Sequence, residues 1–158
     1  MEATKLEFHR AGKDTSMRQA MVEWISESKK WQSFLTLTFP GIVSQDKARR
    51  GFQVLVRSLN QRFYKTTEWN HQSYFSYCVG VEAQERGSFH CHAIVDQFID
   101  FALVHSLWGR IAGVKMDDKS FVKGIAWIQT INDSAAVTGY VTKYLIKGGI
   151  VDVYLRRE

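Results

Sequence analysis

The sequence predicts an α+β fold, with a central antiparallel sheet of about five strands and helices packed on it. Three observations lead there. Several segments repeat apolar residues at i, i+3, i+4 and i+7, the spacing of one helix face. Others alternate apolar and polar residues with the period of a strand, and two of these are joined by a short glycine-bearing turn. The 158 residues contain one proline, no Gly/Ser-rich stretch and no internal repeat, so nothing marks a domain boundary. A single domain is expected over 1–158, with 1–13 a flexible tail.

Taken in order, Met17, Ala20, Met21, Trp24 and Ile25 predict an amphipathic helix over about 14–29. WQSFLTLTF, residues 31–39, alternates as a strand and is stopped by Pro40-Gly41. Ser44 is a natural N-cap for a helix over 45–65, whose Ala48, Phe52, Leu55, Val56, Leu59 and Phe63 share one stripe. Lys47, Arg49, Arg50, Arg57, Arg62 and Lys65 of that segment read mainly as a solvated surface, with one or two available to a phosphate. Residues 73–82 and 88–95 read as a hairpin closed through AQERG. Asp100 caps a third helix bearing Phe101, Leu103, Val104, Leu107, Trp108 and Ile111. Short strands follow near 113–117 and 124–130. Asn132 or Asp133 caps a last helix to about Lys147, stopped by Gly148-Gly149, before a final strand VDVYL.

Composition narrows the function classes. Hydrophobic residues at 45% and charged residues at 23% exclude a disordered or low-complexity chain. No apolar run approaches the roughly 18 residues that span a bilayer, so no membrane partner is expected and a cytoplasmic setting is. Two cysteines, Cys78 and Cys91, without CxxC spacing, make no disulfide framework and suit a reducing compartment. A formal charge of +5 favours a polyanionic partner.

Three constellations carry chemistry. In GSFHCHAIV, strand parity points His90 and His92 to one face and Phe89, Cys91 and Ala93 to the other, which makes Cys91 core packing. A hairpin through AQERGS returns Glu82 to within cross-strand reach of His90. Two imidazoles and a carboxylate then converge, a set that suits a divalent metal: Mn²⁺, Zn²⁺, Fe²⁺, or Mg²⁺ with extra water. The plain alternative leaves Glu82 as a solvated hairpin-end charge.

The second constellation is Tyr140-Val-Thr-Lys143-Tyr144-Leu-Ile-Lys147, whose spacing sets two tyrosines and two lysines on one helical stripe. Ordinarily these are amphipathic edge residues and solvated cations. A repeated YxxK suggests more. A phenol is a poor nucleophile near neutral pH unless a cation, a base or a metal-polarised target helps it, and Lys143 or Lys147 supplies such a cation. Facing a metal across a phosphate, they would complete a phosphoryl-transfer site. The third constellation, FLTLTFP, puts Leu35, Leu37 and Phe39 on one face and Phe34, Thr36 and Thr38 on the other; alone it reads as a half-buried strand.

FLTLTFP, an acidic residue ahead of HCHAIV, and YVTKYLIK, in that order, resemble the three motifs of the HUH superfamily of rolling-circle replication initiators, the two-tyrosine bacteriophage and plasmid type. The resemblance spans 34–147, with Cys91 in the hydrophobic position between the histidines. It implies a ferredoxin-like or RRM-like HUH endonuclease fold. It also implies a DNA-binding, metal-binding nickase and strand transferase, with Mg²⁺ or Mn²⁺ at His90, His92 and Glu82. A tyrosine would leave a covalent 5′-phosphotyrosyl link and a free 3′-hydroxyl. Tyr140 and Tyr144 would be the nucleophiles, with Tyr144 favoured if one acts, and Lys143 and Lys147 their helpers. The implied partners are single-stranded origin DNA, free or in a hairpin, and a host helicase and polymerase, because no GxxxxGK[ST] is present.

Rival readings share parts of this pattern. An HUH transposase or relaxase would use the same chemistry on mobile-element ends. A non-catalytic RRM-like binder of single-stranded nucleic acid would stack bases on Trp127, Tyr74 and Tyr77, although the RNP1 pattern is missing. A non-haem iron oxygenase would use the histidines and the carboxylate but leave YVTKYLIK without a purpose.

Overall fold

Alternating segments with one apolar face pair most readily into antiparallel strands, and here they do. The computed structural model describes residues 4–7, 15–64, 75–145 and 150–156. In chain order the elements are β1 (Thr4–Glu7), α1 (Thr15–Ser28), β2 (Ser33–Thr38), α2 (Gln45–Tyr64), β3 (Tyr77–Ala83), β4 (Phe89–Val95), α3 (Phe101–Ile111), β5 (Val114–Lys115), β6 (Phe121–Val122), β7 (Ile125–Thr130), α4 (Ser134–Tyr140) and β8 (Ile150–Tyr154). A π-helical turn, Val141–Leu145, continues α4. The main sheet has six strands in the order β1-β8-β3-β4-β2-β7, and every pairing is antiparallel. This α+β architecture is compatible with a ferredoxin-like HUH fold. No helix among the described residues is long and apolar enough to cross a membrane.

Local chemistry sets the element ends. Ser44, Asp100 and Asp133 accept from the backbone N–H groups of Lys47, Leu103 and Ala136 at 3.2, 3.0 and 2.7 Å, capping α2, α3 and α4 as the sequence leads one to expect. Gly87 closes the β3–β4 hairpin at φ 83°, a backbone region that side chains disfavour. Ser88 in that hairpin accepts from Val43 N–H and donates to the Gly41 carbonyl, and Arg86 donates to the Phe39 carbonyl at 2.7 Å. The tip is thereby tied to the loop after β2.

The two sheet faces have separate cores. Leu35, Leu37, Val79, Val81, Cys91 and Ala93 face α2 and α3, where Leu55, Leu59 and Trp108 are fully buried. Phe34, Cys78, Ile94, Val151 and Val153 face the other way, against Val22 and Ile25 of α1 and Val137 and Val141 of the last helix.

Several expectations need correction. Residues 4–7 are strand β1, paired Thr4↔Val153 to Glu7↔Ile150, and not tail: β8 would otherwise leave its outer backbone groups unpaired. This pairing raises the strand number from about five to six. The buried seam of α1 is Val22 and Ile25, while Met17 and Trp24 are exposed, because α1 meets the body along one narrow line. Phe63 is exposed near the end of α2. The strand expected near 113–117 shrinks to β5 and pairs only with β6, in a separate hairpin turned at Met116–Ser120. Lys65, Tyr74, Lys147 and the Gly148-Gly149 stop lie outside the described residues.

Candidate metal centre and tyrosine cluster

The register of three central strands assembles the site. Glu82 on β3 stands directly opposite His90 on β4, and Thr36 on β2 directly opposite His92. Cross-strand partners share a face, so hairpin pairing and strand parity bring Glu82, His90 and His92 together without help from any loop. Both imidazole Nε2 atoms lie on one carboxylate oxygen, Glu82 Oε2, at 3.0 Å for His90 and 3.1 Å for His92. Among the described residues, this is the one group of three or more His, Cys, Asp or Glu side chains that could hold a metal ion, with ligand atoms within 4.8 Å of one another.

The donor set fits a cation. Two rings crowd one oxygen, and separations near 3.0 Å are about the edge of an octahedron whose ligands stand ~2.1 Å from its centre. His90 Nδ1 is buried without a hydrogen-bond partner, so the protein alone leaves that imidazole half satisfied. His92 Nδ1 lies 3.2 Å from Thr36 Oγ1. With Nε2 committed to a metal, Nδ1–H donates to Thr36, which fixes both tautomer and ring plane.

The tyrosines arrive from the opposite layer. Tyr140 ends α4 and Tyr144 lies in the π turn, a widened geometry that recurs at functional positions. The Tyr144 ring is centred 4.7 Å from the His92 ring. Tyr140 stacks on Phe34 at 4.3 Å and 12°, and Phe34 in turn stacks on His92 at 5.8 Å and 9°. Lys143 Nζ sits 5.0 Å from the centre of the Tyr144 ring, a cation–π contact. Of the seven residues singled out, Glu82, His90, His92, Tyr140, Lys143 and Tyr144 therefore form one cluster, and Lys147 lies outside the described residues.

A family model, that of the replication-associated protein ORF2 family, matches residues 32–149. The chain belongs to this family. No curated protein matches it. The match runs from just before β2 through the π turn, so the replication-associated segment contains every residue of the cluster.

Other residues fall elsewhere. Cys91 is buried on the opposite face, where its thiol lies 3.4 Å from the Ala48 carbonyl and burial pushes its pKa up to about 12, as suits core packing. Arg49 is no free phosphate ligand: it donates from two nitrogens to the Asp152 carboxylate beneath the sheet. Tyr77, a stacking residue in the RRM-like reading, is buried against Phe52 and Tyr154, which counts against that reading. FLTLTFP taken as plain strand gives no role to Phe34 and Thr36, and the structure makes both neighbours of the site. A threonine sharing strand parity with a buried aromatic is the signal the sequence does carry.

Proposed function

We propose that this replication-associated protein is a rolling-circle initiator of the two-tyrosine HUH type: a single-domain, metal-dependent single-strand DNA endonuclease and strand transferase. What supports this most is the 4.7 Å packing of Tyr144 on His92, within a segment that matches a replication-associated family.

Glu82, His90 and His92 hold the metal, Mg²⁺ or Mn²⁺. When bound, it polarises a phosphate oxygen and offsets charge there. The chain's own residues do the rest. The Tyr144 oxygen attacks the phosphorus, an O–P bond forms, and the bond from phosphorus to the 3′ oxygen breaks. The phenolic proton ends on that oxygen as a 3′-hydroxyl, which primes synthesis, while the 5′ side stays on the tyrosine. Because bonds are exchanged and none is lost to water, the step reverses and the strand can be rejoined. Lys143 supplies positive charge beside the phenol, and Lys147 does the same from the next helical turn. Tyr140, one turn back, repeats the reaction on a second strand while the first is still attached. The substrate is a single-stranded replication origin, and a host helicase and polymerase extend the free end.

Incubation of the protein with single-stranded replicon DNA and Mn²⁺, followed by mass spectrometry, should reveal a protein–DNA adduct on Tyr144 or Tyr140. Folded protein that binds the strand and leaves it uncut overturns the reading.

A further inference from the structure

The cross-sheet row that carries His92 continues past Thr36 to Trp127 on the edge strand β7, through the pairs Thr36↔His92 and Thr36↔Trp127. All three residues therefore share one face, and two strand spacings set Trp127 about 10 Å from His92. The helical cover stops short of it: α1, α4 and the π turn lie over β3, β4 and β8, while α3 packs β7 only from behind, against Ala126 and Ile128. Trp127 is left 67% exposed, the most of any tryptophan among the described residues, and its face neighbour Ile125 is 54% exposed. The other described tryptophans show what this chain does with indoles it needs for folding. Trp31 and Trp108 are buried and donate to the carbonyls of Ile25 and Thr38. Large apolar surface left in water on one row with a site is an interaction surface.

We propose that Trp127, with Ile125 beside it, is the base platform of this protein, stacking a nucleobase of the single strand next to the phosphate held at the histidines. The occupant follows from the surroundings. The face is continuous with a site for a phosphodiester, the chain is basic overall at +5, and neither Ile125, Trp127 nor Gln129 brings a negative charge to this face of β7. A flat indole without a fixed hydrogen-bond pattern takes any base by its π face, so the contact positions the strand more than it reads sequence. The proposal rests on reading this face as a single-strand DNA site.

Full-length protein is titrated with oligo(dT) in EDTA, following anisotropy and tryptophan fluorescence. Trp127→Ala should raise Kd about 5- to 150-fold, the range of one base–aromatic stack. Trp127→Phe should bind within a few-fold of wild type but lose most of the fluorescence quenching. The salt dependence of Kd should keep its slope in both variants, because no phosphate contact is removed. Wild-type affinity in Trp127→Ala, or undiminished quenching in Trp127→Phe, overturns the platform. A platform that behaves as described in a protein that forms no adduct with Mn²⁺ overturns the nuclease reading alone. Adduct formation with an unchanged KM for DNA in Trp127→Ala overturns the platform alone.

Discussion

The two faces of the sheet are built from the same strands and put to different uses. On the α2/α3 face, β4 contributes Cys91, Ala93 and Val95 to an apolar core among the described residues. One position out of step, the same strand turns His90 and His92 toward Glu82 and the tyrosines, and only its far end, Ile94, joins the second core. Parity of a single residue separates groups that hold the fold from groups that do chemistry. The second face accordingly grades from apolar packing beneath α1 to polar groups at the hairpin.

That division predicts mutations with separable signatures. The largest effect belongs to chemistry. Replacing both Tyr140 and Tyr144 with Phe should abolish adduct formation, leaving Mn²⁺ affinity and the melting transition near wild type, as mass spectrometry and calorimetry will report. His92→Ala should abolish metal binding as well, because it removes one of three ligands and the ring on which Phe34 and Tyr144 pack. An adduct surviving in the tyrosine double variant would transfer the nucleophile elsewhere and dissolve the contrast between faces.

On the opposite face, Leu55→Ala empties a fully buried position under the sheet and should cost about 2–5 kcal/mol in denaturant unfolding. Metal affinity of the protein that remains folded should not change. A metal defect there would show that the faces are mechanically coupled.

Thr36→Val sharpens the comparison more finely, since it alters one hydroxyl on the site face and little volume. Losing the partner of His92 Nδ1 should weaken Mn²⁺ binding about 10- to 100-fold, the usual cost of removing such a support, while stability moves far less. Titration calorimetry with Mn²⁺ decides it. An unchanged affinity would mean that His92 is oriented by Phe34 and Tyr144 alone.

Much of this is legible in the residues, for definite reasons. The hairpin, the three N-caps and the convergence of Glu82 with the histidines depend on local rules of parity, turn length and capping, which neighbouring residues determine. What escapes depends on distant partners. Strand β1 exists because β8 has an open edge, and nothing within TKLE announces that edge. Arg49 reads as a surface cation because its partner, Asp152, stands 103 residues away. The π turn widens a helix whose sequence reads as regular, and the exposure of Met17 and Trp24 reflects how little of the body α1 covers.

The smallest expected effect sets one cysteine against the other. Cys91 lies beneath α2 and Cys78 on the tyrosine side, both fully buried, and burial raises both thiol pKa values, that of Cys91 from 9.0 to about 12. A folded pKa above the unfolded one means that the unfolded chain releases its proton first as pH rises. The stability supplied by the neutral thiol of Cys91 is therefore whole below pH 9 and lost on the way to about 12; Tyr77, also held up to about 12 mainly by burial, adds to the same alkaline loss from pH 10. At pH 8 neither thiol reacts until its cover opens. The cover over Cys78 comes from α1 and the α4 end, whose buried seam is narrow, whereas Cys91 lies under the long helix α2. Local opening should expose Cys78 first, so a thiol reagent under native conditions should modify Cys78 several-fold faster than Cys91, read by peptide mass spectrometry. Equal rates for both, tracking global unfolding, would show that the chemical face is as firmly closed as the structural one. The tyrosines would then have to admit DNA without the helix above them moving.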